Sequence, residues 1–530
     1  MSDASSGSGG RQVTSDASSG SGSRQVTSDA SSGSGGRQLV TIQPSLFDPL
    51  PEPAVEPPPP LEAPPDQHAA RLVGDAPPPL AAFNAAGILD AADVHVATAL
   101  GRLLDEHREE VVLAAAFAVR GPRLGHVCID LAALPLTVAT DSDTPVDVAA
   151  LPWPDPDRWV DAVTTSPLVA HDDEPVEAPL RLVGGRLYVD RYWRYERAVA
   201  DGLARRGTAP PPDVDLPTLR AGLARLFQGD GDGPDLQRLA AAAAVLRPFS
   251  VVAGGPGTGK TATVAQILAL LDEQAATRGD RPPRIALAAP TGKAASGLEE
   301  SIREAAEEID ADPAIRERLA SASASTLHRL LGTRPGSRTR FRHDAATPLP
   351  HDVVVVDETS MVSLALMAKL VDAVRPDARL ILVGDPDQLA SVEAGAVLGD
   401  IVGPAREGLL ISSPVRDLLS SATGEAVPAD DPPRGADVAD GIVVLRRVHR
   451  FAGGIAELAR AVQDGDGEGA LAVLAAGRED VTWIETEPET SGPVEIPEPL
   501  KELGVETGRA TVAAARAGEA AAALAALGAL

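Results

Sequence analysis

Apolar residues are spread unevenly along the chain, and their spacing changes character as it runs. The first 79 residues offer almost nothing to bury. From Leu80 onward, Val94–Leu104 and Val111–Val119 place apolar side chains at helical spacing, which predicts helices with a buried face. Residues 181–200 hold two short apolar runs around Gly184-Gly185, the pattern of a tight hairpin. Beyond about residue 235 the apolar runs become short: Phe249–Ala253, Ile285–Ala289, Val353–Val356, Leu380–Val383 and Ile442–Leu445. Each ends in a polar or glycine-rich turn, so strands alternate with helices. The unbroken valine run predicts a strand covered on both faces of a parallel sheet. The expectation is an α/β fold preceded by a mixed, mostly helical domain.

Composition sharpens the borders. Residues 2–14 read SDASSGSGGRQVT, and the unit recurs at 15–27 and 28–40. Such Ser/Gly repeats predict a flexible coil. Residues 44–79 hold 13 prolines, an extended linker. The expected layout is repeats and linker over 1–79, an N-terminal partner-interaction domain over 80–205, a first motor-type domain over 206–440 and a second, incomplete one over 441–530. No run approaches the ~18 apolar residues of a spanning helix, and no basic-then-apolar leader opens the chain. The chain therefore reads as cytoplasmic. The single cysteine, Cys128, leaves no internal disulfide framework and no Cys-rich zinc site.

Candidate chemistry gathers at the ends of the predicted strands. The first run leads into GGPGTGKT: Gly254, Gly255, Pro256, Gly257, Thr258, Gly259, Lys260 and Thr261. This is G-x-x-x-x-G-K-[ST] between a strand and a helix, the phosphate loop of a nucleotide site. Its backbone N–H groups and the helix N-terminus cradle phosphates. Lys260 is expected on the β/γ-phosphates and Thr261 on Mg²⁺. The valine strand delivers Asp357 for the Mg²⁺ shell and Glu358 to polarise an attacking water. Gln388, in GDPDQL, is a neutral amide able to bond the γ-phosphate or its water, although that segment is also good turn chemistry. Lys293, in APTGKAA, suits a second anion such as a nucleic-acid phosphate, or is a surface lysine at a helix start. Tyr188, Tyr192, Trp193 and Tyr195, beside Arg191, Arg194 and Arg197, either stack bases or, more in keeping with such patches, belong to a domain interface or core.

No N/T-K-x-D guanine motif surrounds any of the four lysines, Lys260, Lys293, Lys369 and Lys501. The series GGPGTGKT, APTGKAA, TLHRLLG, VVVVDETSM and VGDPDQLASVEAGAVLGDI resembles the superfamily 1 DNA helicases. Together with GHVCIDL and RLYVDRYWRYE, it most resembles the family of the exodeoxyribonuclease V alpha subunit, over roughly residues 80–530. The resemblance implies RecA-like P-loop motor domains, ATP and Mg²⁺ as cofactors, and 5′→3′ movement on single-stranded DNA at duplex ends. It implies work beside the beta and gamma subunits of the complex in recombination and repair. It also implies adenine reading by Gln237, γ-phosphate contact by Arg450, and strand contact by Thr291, Lys293, Thr326 and His328.

The later family motifs, T-x-H-x-x-Q-G and a terminal T-R-A type, do not occur before Leu530. The expectation is a C-terminally truncated chain with an unfinished second RecA-like domain. Two alternatives stand beside the helicase subunit: an ATP-binding scaffold subunit with impaired turnover, and a stand-alone helicase. The net charge of −29 argues against loose coating of nucleic acid and leaves room only for a local strand path.

Overall fold

The computed structural model describes residues 70–140, 146–227, 234–334, 336, 340–388, 394–395, 397–433, 437–447, 453–478, 480–483 and 498–528. All of them lie within one unit, Gln67–Leu530. The repeats and most of the Pro-rich linker fall outside the described residues.

The folded domain includes described residues before Leu80. The buried Asn84 amide accepts from the Val73 N–H at 2.9 Å and donates to the carbonyls of Arg71 (2.7 Å) and Leu89 (2.8 Å). This ties residues 71–73 to the first helix, Pro78–Ala85, and corrects the linker border at 79. The helices Ala91–Leu103 and Glu109–Arg123 follow, as the helical spacing requires, and then Pro156–Thr164. With them goes a small sheet of β1 (Cys128–Asp130), β2 (Val169–His171), β3 (Leu180–Val183) and β4 (Arg186–Val189), in the order β1-β4-β3-β2. Phe83, Phe117, Trp153 and Trp159 fill the core, with Phe117 stacked on Trp153 at 5.4 Å. Gly184 and Gly185 carry φ of 54° and 82°, the double positive φ of a type I′ hairpin turn between β3 and β4.

A long helix, Asp190–Gly207, carries the chain into the second domain. It lies against the helix Leu364–Ala373 so closely that a Cβ on Gly202 would collide with Val371. Arg206, 5% exposed, donates to the carbonyls of Val374 (2.7 Å), Arg375 (3.0 Å) and Ala378 (3.0 Å) just past that helix. The aromatic patch is taken up by this packing. Tyr192 and Tyr195 lie on the second domain's core, Lys369 stands 5.5 Å above Tyr195, and Trp193 lies under Arg181 at 4.3 Å. It is an interface, not a platform for bases.

The second domain is a six-stranded, all-parallel sheet in the order β10-β5-β9-β8-β6-β7. Its strands are β5 (Phe249–Gly254), β6 (Ile285–Ala289), β7 (Ala324–Thr326), β8 (Val353–Val356), β9 (Arg379–Gly384) and β10 (Ile442–Leu445). Helices cover both faces. Val353 and Val355 enter one core with the helices Leu236–Leu246 and Lys260–Arg278. Val354 and Val356 enter the other with Leu364–Ala373. The unbroken apolar run is thus two interleaved faces, each buried.

One border moves. Ile442–Leu445, placed at the start of a second motor domain, is parallel to β5 and completes the first sheet, with Ile442 opposite Val251 and Leu445 opposite Gly254. Its side chains divide between the two cores, Ile442 into one and Val443 and Leu445 into the other. Among the described residues beyond Leu445 there are four helices, Gly454–Gln463, Gly467–Ala475, Glu498–Arg516 and Ala520–Gly528, and no strand. No described helix is long and apolar enough to cross a membrane.

Candidate nucleotide-binding site

Strands of a parallel sheet deliver their following loops to one edge, where ligands of open α/β folds bind. Here β5, β6, β8 and β9 end beside a cleft of about 1300 Å³. Its walls include Pro256–Ala262, Thr291, Lys293, His328, Asp357, Glu358 and Gln388. Residues more than 130 positions apart in sequence are brought together solely by strand order.

The phosphate loop has the backbone its glycines allow. Gly254, Gly257 and Gly259 carry φ of 152°, 73° and 83°. A Cβ on Gly254 would also come within 2.7 Å of the Leu445 carbonyl oxygen and 2.8 Å of Thr258 Oγ1. The loop ends at the N-terminus of Lys260–Arg278, whose orphan N–H groups and dipole favour an anion. Lys260 Nζ donates to the carbonyls of Gly254 (2.7 Å) and Gly255 (2.8 Å), which arches the side chain over the loop. Gln237 is held by the loop as well: its Nε2 donates to the Thr258 carbonyl at 3.0 Å. Asp235 caps the Gln237 helix by accepting from the Gln237 and Arg238 N–H groups, both at 3.0 Å.

Across the cleft, Asp357 follows β8. Burial pushes its carboxyl up to about 6, and the neighbouring Glu358 charge adds to the rise. The Glu358 N–H, 2.8 Å from Asp357 Oδ1, and the Lys260 ammonium oppose it. Glu358 sits at φ 50°, ψ 41°, a left-handed conformation uncommon outside glycine and the kind of strain found at functional sites. It turns the chain sharply out of β8 into the 3-10 turn Thr359–Met361. Gln388 occupies the exposed turn after β9, where its Oε1 accepts from Ser360 Oγ at 3.1 Å.

The proposed strand-contacting residues divide. Lys293 and His328 are exposed on the cleft wall. Thr291 lines it too, and its hydroxyl caps the helix Gly292–Glu308 by accepting from the Ala294 N–H at 3.2 Å. Thr326 is not among the lining residues. Its hydroxyl caps the helix Leu327–Leu331, accepting from the Arg329 N–H at 3.2 Å. Arg450 lies outside the described residues. Ser360 was not singled out by sequence, because its partner lies 28 residues away and becomes a neighbour only through the pairing of β8 with β9.

Comparison with known proteins agrees with this geometry. The family described as "RecBCD enzyme subunit RecD, N-terminal domain" matches residues 85–188, and the family described as "AAA domain" matches residues 237–394. The second match opens at Gln237 and runs through the phosphate loop, Asp357, Glu358 and Gln388. The two matched regions follow one another in that order along the chain. It is similar to RecBCD enzyme subunit RecD of Mycolicibacterium smegmatis, at 48% identity over 407 residues, covering 76% of this chain and 63% of that protein. Against RecD of Mycobacterium tuberculosis the identity is 47% over 409 residues, covering 77% and 61%. A more distant relative is the ATP-dependent RecD2 DNA helicase of Deinococcus radiodurans, 36% identical over 239 residues, covering 43% of this chain and 28% of that protein. The RecD-like chain thus spans a little over three-fifths of the length of the first two relatives.

Proposed function

We propose that this RecD-like chain is an ATP-dependent DNA helicase subunit of a recombination and repair complex. It couples ATP hydrolysis to 5′→3′ movement on single-stranded DNA, in the cytoplasm, beside the beta and gamma subunits of exodeoxyribonuclease V (RecB and RecC). The observation that carries the reading is the meeting of the phosphate loop, the Asp357-Glu358 pair and Gln388 on one cleft, in a chain that also matches the RecD N-terminal domain family.

The residues fit ATP and Mg²⁺. The loop's N–H groups and Lys260 suit the β- and γ-phosphates. Gln237 Nε2 is engaged by the Thr258 carbonyl, which leaves Oε1 to accept from adenine's exocyclic amine, where guanine presents an acceptor instead. Thr261 and Asp357 are the donors for the metal. No cluster of three or more His, Cys, Asp or Glu side chains suited to a metal occurs among the described residues. A two-donor site is what Mg²⁺ takes when phosphates and waters complete its shell. Bound there, the ion neutralises charge on the β- and γ-phosphates. Glu358 holds and polarises the attacking water, and Gln388 faces the terminal phosphate. Arg450 supplies a second positive charge to that phosphate. Thr291, Lys293, Thr326 and His328 form the strand-contacting set, with Thr291, Lys293 and His328 the exposed members.

The test is ATP turnover by the chain co-purified with its RecB and RecC partners, with and without single-stranded DNA. DNA-stimulated turnover that Lys260→Ala abolishes is expected. Undiminished turnover by the Lys260→Ala complex would sink the reading. A steep loss of strand affinity with salt is expected alongside, since phosphate contacts release counterions.

A further inference from the structure

We infer that Gly395 is a positioning residue that ties the nucleotide cleft to the N-terminal domain: through it, Gly125 and Val127 hold the start of the helix that leaves the cleft after Glu358. The inference rests on the reading of that cleft as an ATP site, and it makes the N-terminal domain a reporter of what the cleft holds.

The helix Leu364–Ala373 begins at the cleft, for Glu358, Met361, Ser363 and Leu366 all line it. The chain between Glu358 and this helix has little slack. The Met361 N–H donates to the Glu358 carbonyl and the Val362 N–H to the Thr359 carbonyl, both at 3.0 Å. Ser363 Oγ then caps the helix by accepting from the Leu366 N–H at 3.4 Å. A displacement of Glu358 is thereby carried to Leu364.

One planar peptide group joins Leu364 to the N-terminal domain. Its C=O, on Ala394, accepts from the Leu364 N–H at 3.2 Å, and its N–H, on Gly395, donates to the Gly125 carbonyl at 3.2 Å. Gly395 is buried at φ 106°, a conformation that side chains rarely adopt. A Cβ there would come within 2.8 Å of Leu364 Cβ and 3.5 Å of Val127 Cγ1. Glycine lets the peptide pass between the two. Val127 itself packs on the core that contains Val362 and Leu364. The loop carrying Gly125 and Val127 is closed on the end of the helix Glu109–Arg123: the Gly125 N–H donates to the Pro122 carbonyl at 3.3 Å, and the His126 N–H to the Gly121 carbonyl at 2.9 Å. Coupling travels through contiguous packed and hydrogen-bonded contacts of this kind, and it is reciprocal.

The experiment is hydrogen exchange of the full chain, with and without a saturating β,γ-imido ATP analogue and Mg²⁺. Nucleotide is expected to slow exchange in the phosphate loop. It should also slow Gly125 and His126 by at least about fivefold, the low end of coupling between sites. The helix Pro156–Thr164, in the same domain but outside this path, should exchange as before. In Gly395→Ala the phosphate loop should still be protected, while Gly125 and His126 no longer respond. Val127→Ala, a milder change, should weaken the response in the same way, and it carries the test if Gly395→Ala does not fold. A merely structural glycine would change exchange equally with and without nucleotide. Equal slowing at Pro156–Thr164 would be general stabilisation by a ligand and would overturn the coupling. So would a wild-type response in the folded variants, or unresponsive Gly125 and His126 beside a protected phosphate loop in the wild type. A phosphate loop that gains no protection overturns the ATP reading, and this role falls with it.

Discussion

The guanidinium of Arg206 donates to the carbonyl of Val374 at 2.7 Å, across 168 residues of sequence. Arg375 and Ala378 contribute two further carbonyls, so one side chain of the N-terminal connecting helix closes the end of a helix in the sheet domain. Burial pushes Arg206 down to about 10, yet it is kept because three carbonyls and a helix C-terminus receive it. Arg206→Met keeps the apolar stem and orphans the carbonyls. We expect a loss of roughly 2–4 kcal/mol in denaturant unfolding, with nucleotide affinity unchanged because the cleft lies at the strand ends. A stability equal to wild type would refute the capping role.

Glu106 gives the N-terminal domain a pH dependence of defined sign. Hydrogen bonding from the Arg108 side chain holds its carboxyl down at about 2; burial opposes this, while the Arg108 N–H and the Ser166 hydroxyl reinforce it. The folded value lies below the unfolded one, so the stabilisation is fully present above about pH 4.5 and fades as pH falls toward 2. Glu106→Gln should therefore unfold at lower denaturant than wild type at pH 7, by roughly 1–3 kcal/mol. The two proteins should converge in acid. A difference that persists undiminished at the acid end of the titration would contradict the assignment.

Two adjacent glycines of the phosphate loop should answer differently to the same change. Gly254→Ala places a methyl against the Leu445 carbonyl and Thr258 Oγ1 at a φ that only glycine tolerates, so a lower melting temperature and a displaced loop are expected. Gly255→Ala meets no protein atom within 4 Å and should melt like wild type. Thermal unfolding of the two variants side by side is the measurement; equal melting would remove the steric argument.

How much of this was legible beforehand follows from how each feature is encoded. The valine run and its sister strands were readable because a strand buried on both faces needs continuous apolar sequence. β7 was not, since Ala324-Ser325-Thr326 contains no apolar run and is a strand only because β6 offers it an edge. β10 was read as a strand but assigned to the wrong sheet, because an apolar run carries no information about its neighbour. The phosphate loop and the Asp357-Glu358 pair are each a contiguous motif and so visible in the sequence. The Ser360–Gln388 bond and the Arg206 cap join residues 28 and 168 apart, and only strand order and helix docking bring them together. The tyrosine-rich helix showed its composition but not its orientation, which is what makes it an interface.

The placement of β10 has a mechanical consequence. Its last residue, Leu445, lies opposite Gly254, the first residue of the phosphate loop, in a parallel ladder of four residue pairs. The chain leaves this edge strand and goes on to the helices that begin at Gly454. Tension drawn along residues beyond Leu445 therefore loads the ladder in shear, lengthwise and all pairs at once. The load arrives where the phosphate loop begins.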